Sequence, residues 1–222
     1  MGLKGRRSRG QARREPTISL RISKLVTGRT RVGWRVKYLV DPSSSDGERA
    51  IPERLVLRRW RRRKRQRVRA RRGVRLPPST WRALGLVLPH DQALWKDLDE
   101  GTIRRLLAEK KQLLREGQLR APPTQSILAM MRIPKLGPQV IRKLIQRHSD
   151  PESVDPRRPG VPDLFLWAHD EDNRPCAPRF VEVKRPDERL FKQQRAELEF
   201  LRSLGLKAGV FRLVERERGS GP

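Results

Sequence analysis

Eleven of the fifteen residues from Arg58 to Arg72 are lysine or arginine, and none is acidic. No fold can bury such a run, because each unpaired charge would have to leave water. Any domain built from this chain must therefore keep it on a surface. Free in solution the run repels itself, whereas on a phosphate backbone it releases counterions and gains affinity. Arg58, Arg59, Arg61, Arg62, Arg63, Lys64, Arg65 and Arg67 are thus candidate nucleic-acid-binding residues. Such contacts position a nucleic acid without reading its sequence. The whole chain points the same way: 222 residues carry a net charge of +28, and the 35% hydrophobic content only equals the charged content. A compact part with loosely ordered basic segments is expected, with a polyanion as partner.

Other classes are disfavoured. No apolar run approaches the roughly 18 residues of a membrane span, and no secretory segment follows Met1. Met1-Gly2 opens like a myristoylation signal, but Arg6 stands where Ser or Thr is wanted. Cys176 is the only cysteine, and His90, His148 and His169 are scattered. Neither a disulfide framework nor a Cys/His zinc site follows. A cytoplasmic, nucleoid- or DNA-associated protein is expected, with its oligomeric state open.

Along the chain the texture changes three times. Residues 1–16 read as a disordered basic tail. Residues 17–75 read as a basic β-hairpin followed by the arginine-rich region. Ile18, Leu20 and Ile22, then Val32, Trp34, Val36, Tyr38 and Val40, alternate with polar residues around a Thr27-Gly28 turn. Residues 41–50 form a polar loop. Residues 76–134 read as a helical linker region, with Ser79 or Thr80 capping one helix and Thr102 another that carries Ile103, Leu106, Leu107, Leu113 and Leu114. From 135 to 222 a helix (about 136–147) precedes a strand from Val161 to Trp167, the strand Phe180–Lys184, a helix (about 188–204) and a strand from Ala208 to Val214. This order predicts an α/β unit in which helices cover a small mixed sheet.

One strand carries chemistry. In Phe180-Val181-Glu182-Val183-Lys184 the period-two pleat puts Phe180, Glu182 and Lys184 on one face. Asp163, just after Pro162, comes close to Glu182 if the two strands pair. Two carboxylates can hold Mg²⁺ or Mn²⁺ through hard oxygen ligands, and a cation held there activates water and offsets phosphodiester charge. Lys184 can orient that water or stabilise an oxyanion. The competing reading is a buried Glu182–Lys184 salt bridge with no chemistry. On the next helix Gln194 falls in the middle of the apolar stripe and Gln193 at its edge. A Gln so placed needs a buried polar partner.

The residues Gly160-Val161-Pro162-Asp163-Leu164, then Phe180 to Lys184, Pro186, Arg189-Leu190 and Gln194, resemble the virus-type replication-repair nuclease (VRR-NUC) domain of the PD-(D/E)XK superfamily. The form at the C-terminus of the Fanconi-associated nuclease is the most similar, and the resemblance covers about residues 136–214. It implies a restriction-endonuclease-like α/β core and Mg²⁺- or Mn²⁺-dependent hydrolysis of DNA, often at flaps, junctions or other branched structures. It further implies Asp163, Glu182 and the Val183 carbonyl as metal ligands, Lys184 as catalytic lysine and Gln194 as the motif glutamine. Arg185 replaces the usual Gly and could touch a phosphate, and Glu188 replaces the usual Asp. The family also uses an upstream helical Glu, for which Glu116 is the first candidate and Glu109 the second. The reading is a structure-specific DNA endonuclease of repair, replication or recombination acting on branched or single-stranded DNA. The alternatives are a non-catalytic nucleic-acid-binding protein on a degenerate nuclease fold, and a restriction- or transposition-linked nuclease.

Overall fold

The computed structural model describes residues 17–30, 33–39, 51–62, 68–157, 159–186 and 188–215. The basic tail (1–16), the polar loop (41–50) and the candidate cations Arg63, Lys64, Arg65 and Arg67 lie outside the described residues. Among the described residues six strands make one mixed sheet: β1 (Thr17–Thr30), β2 (Gly33–Leu39), β3 (Ala70–Arg75), β4 (Leu164–His169), β5 (Pro175–Lys184) and β6 (Lys207–Glu215). Their order is β2-β1-β6-β5-β4-β3. β5 and β6 run parallel, as do β6 and β1, and the other neighbours are antiparallel. The central strands flanked by helices form the expected restriction-endonuclease-like α/β core, extended by the N-terminal hairpin.

The hairpin forms, but not around Thr27-Gly28. Its register runs on to Thr30↔Gly33, so the chain reverses later. At Val26/Gly28 the register shifts instead, a bulge of the kind glycine accommodates.

Helix α1 (Pro52–Arg62) begins before the Arg58–Arg72 charge run and its second half lies within it. Leu55 and Val56 are buried and Trp60 follows one turn later, so a narrow apolar stripe threads the arginines. Pro52 and Glu53 suit a helix start, and Arg59, Arg61 and Arg62 suit its end. The stripe packs with Leu164, Leu166, Val181, Val183, Phe211 and Leu213 on one face of the sheet. Gly73 of β3 permits this seat: a Cβ there would lie 2.7 Å from the Leu57 side chain and 2.6 Å from that of Leu166. Trp60 Nε1 then donates to the carbonyls of Arg72 (2.8 Å) and Trp167 (3.2 Å), fastening α1 across β3 and β4.

The other face carries the larger core. It is covered by α2 (Thr80–Val87), α3 (Glu100–Glu109), α5 (Thr124–Arg132), α6 (Pro138–Ser149) and α7 (Lys192–Ser203), with α4 (Lys111–Glu116) outside. Trp81, Ile127, Met130, Ile141, Phe165, Phe180, Leu198 and Leu201 meet there. With both faces covered, β4 is apolar throughout from Leu164 to Ala168. Two details differ from the sequence reading. The helix expected over Ile103–Leu114 is two helices, broken at Lys110, and the side chain of Asp99 rather than Thr102 caps the first. Helix α5 is an addition to the expected elements; its Ile127 and Met130 are fully buried.

Candidate active site

The antiparallel register Leu164↔Val181 sets Asp163 just before the start of β4, beside Val183 of β5. Asp163 Oδ2 accepts a hydrogen bond from the Val183 N–H at 2.7 Å. The Asp163 carbonyl accepts from Leu76 N at 2.8 Å. In a strand the N–H and C=O of one residue point to the same side, so the Val183 carbonyl also faces Asp163. Gly160 holds the approach. Its φ is +70°, and a Cβ there would lie 2.6 Å from the Gln193 carbonyl oxygen. Only glycine meets both demands, so the loop before Asp163 presses on the first turn of α7.

Glu182 and Lys184 share the face of Phe180 and are almost wholly buried, at 2% and 1% exposure. Lys184 Nζ contacts Glu182 Oε1 at 3.0 Å, Gln194 Oε1 at 2.8 Å and Glu188 Oε1 at 3.2 Å. Three acceptors match the three donors of an ammonium. Gln194 Nε2 donates to Glu182 Oε1, and its Oε1 also accepts from the Phe191 N–H at 3.1 Å. The polar partners that a half-buried Gln194 requires are thus the two charges on β5, while Gln193 is exposed.

Burial is the main force on both acids. It pushes Glu182 up to about 8, with repulsion from Asp163 adding and Lys184 opposing. It pushes Asp163 up to about 6, opposed by the Val183 hydrogen bond and reinforced by Glu53 and Glu188. The carboxylate pair is therefore under-neutralised despite Lys184. Asp163 Oδ1 and Glu182 Oε2 accept no hydrogen bond from the described residues. Two hard oxygens facing excess negative charge fit a divalent cation. As placed, no three His, Cys, Asp or Glu side chains among the described residues converge into a metal-binding cluster.

The upstream acid is not where the sequence reading puts it. Glu109 and Glu116 are exposed on α3 and α4, and Glu116 is occupied by Gln112 at 2.9 Å. Neither acts on Asp163 or Glu182. Glu53 does act on Asp163, from the first turn of α1, where Arg75 holds it at 3.5 Å. Sequence reasoning misses it because Glu53 lies in the short stretch before the Arg58–Arg72 run, where no element is expected. The apolar stripe Leu55, Val56 and Trp60 is the signal that could have found it.

Arg59, Arg61 and Arg62 are exposed at the far end of α1, and Arg58 is half-buried. At a rise of about 1.5 Å per residue they stand roughly 8 to 14 Å along the helix from Glu53. Arg61 also donates to the Gly73 carbonyl at 3.3 Å. Arg185 is exposed directly after Lys184, its N–H donating to Glu188 Oε2 at 3.1 Å.

No curated protein matches the chain. Among solved structures, paFAN1 bound to 2nt 5′ flap DNA with a gap aligns with a TM-score of 0.52 and 16% identity, over 96% of this chain and 40% of that one. A second paFAN1 complex, with 1nt 5′ flap DNA with a gap, gives 0.45 and 16%, over 95% and 40%. The first alignment shows a shared fold, and the chain spans well under half the length of paFAN1. The model of the VRR-NUC domain matches residues 98–214, from the start of α3 to the end of β6. That is more than half of the sequence and takes in Asp163, Glu182, Lys184 and Gln194; this chain belongs to the VRR-NUC nuclease family.

Proposed function

We propose that this protein is a divalent-metal-dependent DNA nuclease that hydrolyses phosphodiester bonds in flap, junction or other branched DNA during repair, replication or recombination. The observation that carries the reading is the convergence of Asp163, Glu182 and Lys184, with Gln194 bridging the last two, at one end of the sheet. Asp163, Glu182 and the Val183 carbonyl would hold Mg²⁺ or Mn²⁺, with Glu53 as a further acid acting on Asp163. When bound, such an ion supplies Lewis acidity to the phosphate and acidifies water.

The chain's own groups do the rest. Gln194 hydrogen-bonds both Glu182 and Lys184 and so holds them against each other. Lys184 holds an ammonium in a dry pocket, where it can stabilise charge developing on a phosphate oxygen. To do so it must give up one of its three acceptors. Glu188 is the more exposed of its two carboxylate partners, at 36% against 3% for Glu182. Labour divides along the chain: residues 17–75 hold nucleic acid, 135–222 cut it, and 76–134 supply the helical layer. Arg58, Arg59, Arg61, Arg62, Arg63, Lys64, Arg65, Arg67 and Arg185 bind phosphates. The shared fold with paFAN1 bound to 2nt 5′ flap DNA favours a branched substrate. None of the described helices is long and apolar enough to cross a membrane, and a DNA-associated location in the cytoplasm fits the substrate.

A second reading rests on the completeness of the Lys184 contacts and the absence of a three-acid cluster among the described residues. In it the fold binds DNA without cutting. A panel of flap, junction, single-stranded and linear duplex DNA, incubated with Mg²⁺, Mn²⁺ or EDTA, separates the two. Turnover of a branched substrate that EDTA stops is expected. Tight binding with no turnover on any substrate would establish the second reading.

A further inference from the structure

Phe191 is a large apolar side chain left 58% exposed. It occupies the N-cap of α7, with φ −71° and ψ 156° and no side-chain capping bond. That position strongly favours Ser, Thr, Asp or Asn, whose oxygen caps a free N–H. A phenyl ring there gives up the cap and keeps its apolar surface in water. Local rules broken without structural gain mark functional positions.

Its surroundings say what it faces. Lys184 Nζ lies over the ring, 5.4 Å from its centroid. The Phe191 N–H is held by Gln194 Oε1, and the same amide donates to Glu182. One side chain therefore fixes the ring relative to both charged groups of the site. Arg185, Arg189 and Lys192 are exposed on the same stretch, and Leu190 is half-buried. A protein-docking surface would need a contiguous apolar patch. An aromatic ring set among cations suits an unpaired nucleotide, whose base stacks while its phosphates are neutralised.

We infer that Phe191 is a base-stacking residue: its ring takes an unstacked nucleobase within about one nucleotide of the phosphate served by Lys184. This rests on the nuclease reading and deepens it, because a base paired inside a duplex presents no free face. The preferred substrate then has an unpaired, terminal or frayed nucleotide beside the cut, and Phe191 sets that preference.

The test uses the full chain and a synthetic 5′ flap with 2-aminopurine or an abasic site at each nucleotide flanking the cut. Phe191→Ser restores a capping residue, so its melting temperature should equal or exceed that of the parent. Its kcat/KM on the flap should fall by about tenfold or more. Phe191→Trp should stay within about threefold of the parent, because the stacking surface remains. An abasic site at the stacked nucleotide should slow the parent as much as Phe191→Ser does, and should slow Phe191→Ser no further. Unchanged cleavage by Phe191→Ser, or an abasic penalty that persists in it, overturns the inference while leaving the nuclease reading intact. Stacking is read separately as quenching of 2-aminopurine on binding to Glu182→Gln protein, with and without Phe191→Ser. Equal quenching in both also overturns it. If the parent cuts nothing with any metal, the nuclease reading fails, and the quenching comparison still decides whether Phe191 stacks.

Discussion

Two strands of one sheet carry charge in opposite ways. Edge strand β3 holds Arg71, Arg72 and Arg75, two of them exposed. Arg71 lies over Trp60 at 4.4 Å, and Arg75 reaches Glu53. Water or near neighbours compensate these cations. Central strand β5 holds Glu182 and Lys184 with almost no solvent, and compensation there takes fixed dipoles and a second carboxylate. Charge at a sheet edge is cheap and general, so it suits phosphate binding. Charge in the sheet centre is costly and must be justified by chemistry. The difference can be attacked from both sides.

The largest effect is expected at β5 and its partner. Asp163→Ala or Glu182→Ala should lower Mg²⁺-dependent cleavage by at least about a thousandfold, with DNA binding retained in a filter or anisotropy assay. Full turnover by either variant would remove β5 from the chemistry. Lys184→Ala strips the ammonium from buried Glu182 and, above a pH of about 8 where that carboxyl is ionised, should cost about 3 kcal/mol in urea unfolding without metal. A near-neutral result would mean that Glu182 is compensated elsewhere. Gly160→Ala meets both a left-handed φ and the Gln193 carbonyl. It should cost about 1–3 kcal/mol and displace the first turn of α7.

The pH dependence follows from the same burial. Asp163 and Glu182 sit at about 6 and about 8, above their ordinary 3.8 and 4.5. Between those limits the folded state holds protons that the unfolded state has released. Their contribution to stability is therefore present at low pH and is lost as pH rises through about 6 and then about 8. Cation binding requires both groups ionised, so the rise in melting temperature caused by Mg²⁺ should be larger near pH 8.5 than near pH 6, roughly in line with the protons released. Scanning calorimetry at both pH values, with Mg²⁺ and with EDTA, checks the sign. The smallest effect on the fold is expected at the basic surface: Arg59→Ala, Arg62→Ala or Arg72→Ala should change stability by no more than about 0.5 kcal/mol. For every phosphate left unneutralised by such a variant, the salt dependence of DNA binding should flatten by about 0.9 in slope.

Much of the site is legible in the sequence because strand geometry is local. The pleat alone puts Glu182 and Lys184 on one face, and Gln194 declares itself by being polar where helix periodicity is apolar. Glu53 is not legible as a partner of Asp163. The two are far apart in sequence, and their meeting depends on α1 settling over Gly73. Helix α1 itself is hidden because its apolar stripe is only a few residues wide among arginines. Phe191 is not legible as a neighbour of Lys184, because their meeting depends on how α7 sits against β5.

From the order of residues alone it follows that the Arg58–Arg72 run stays outside, that β5 presents an acid and a base together, and that the motif residues resemble those of a nuclease family. Those conclusions need only charge, periodicity and spacing, which are properties of neighbours along the chain. Long-range packing settles which acid approaches Asp163, which groups satisfy Lys184, and that the Phe191 ring stands beside the Lys184 ammonium. One glycine lets α1 approach one face of the sheet and bring Glu53 toward Asp163, while the helices of the other face bury Glu182 and shift it from its ordinary range.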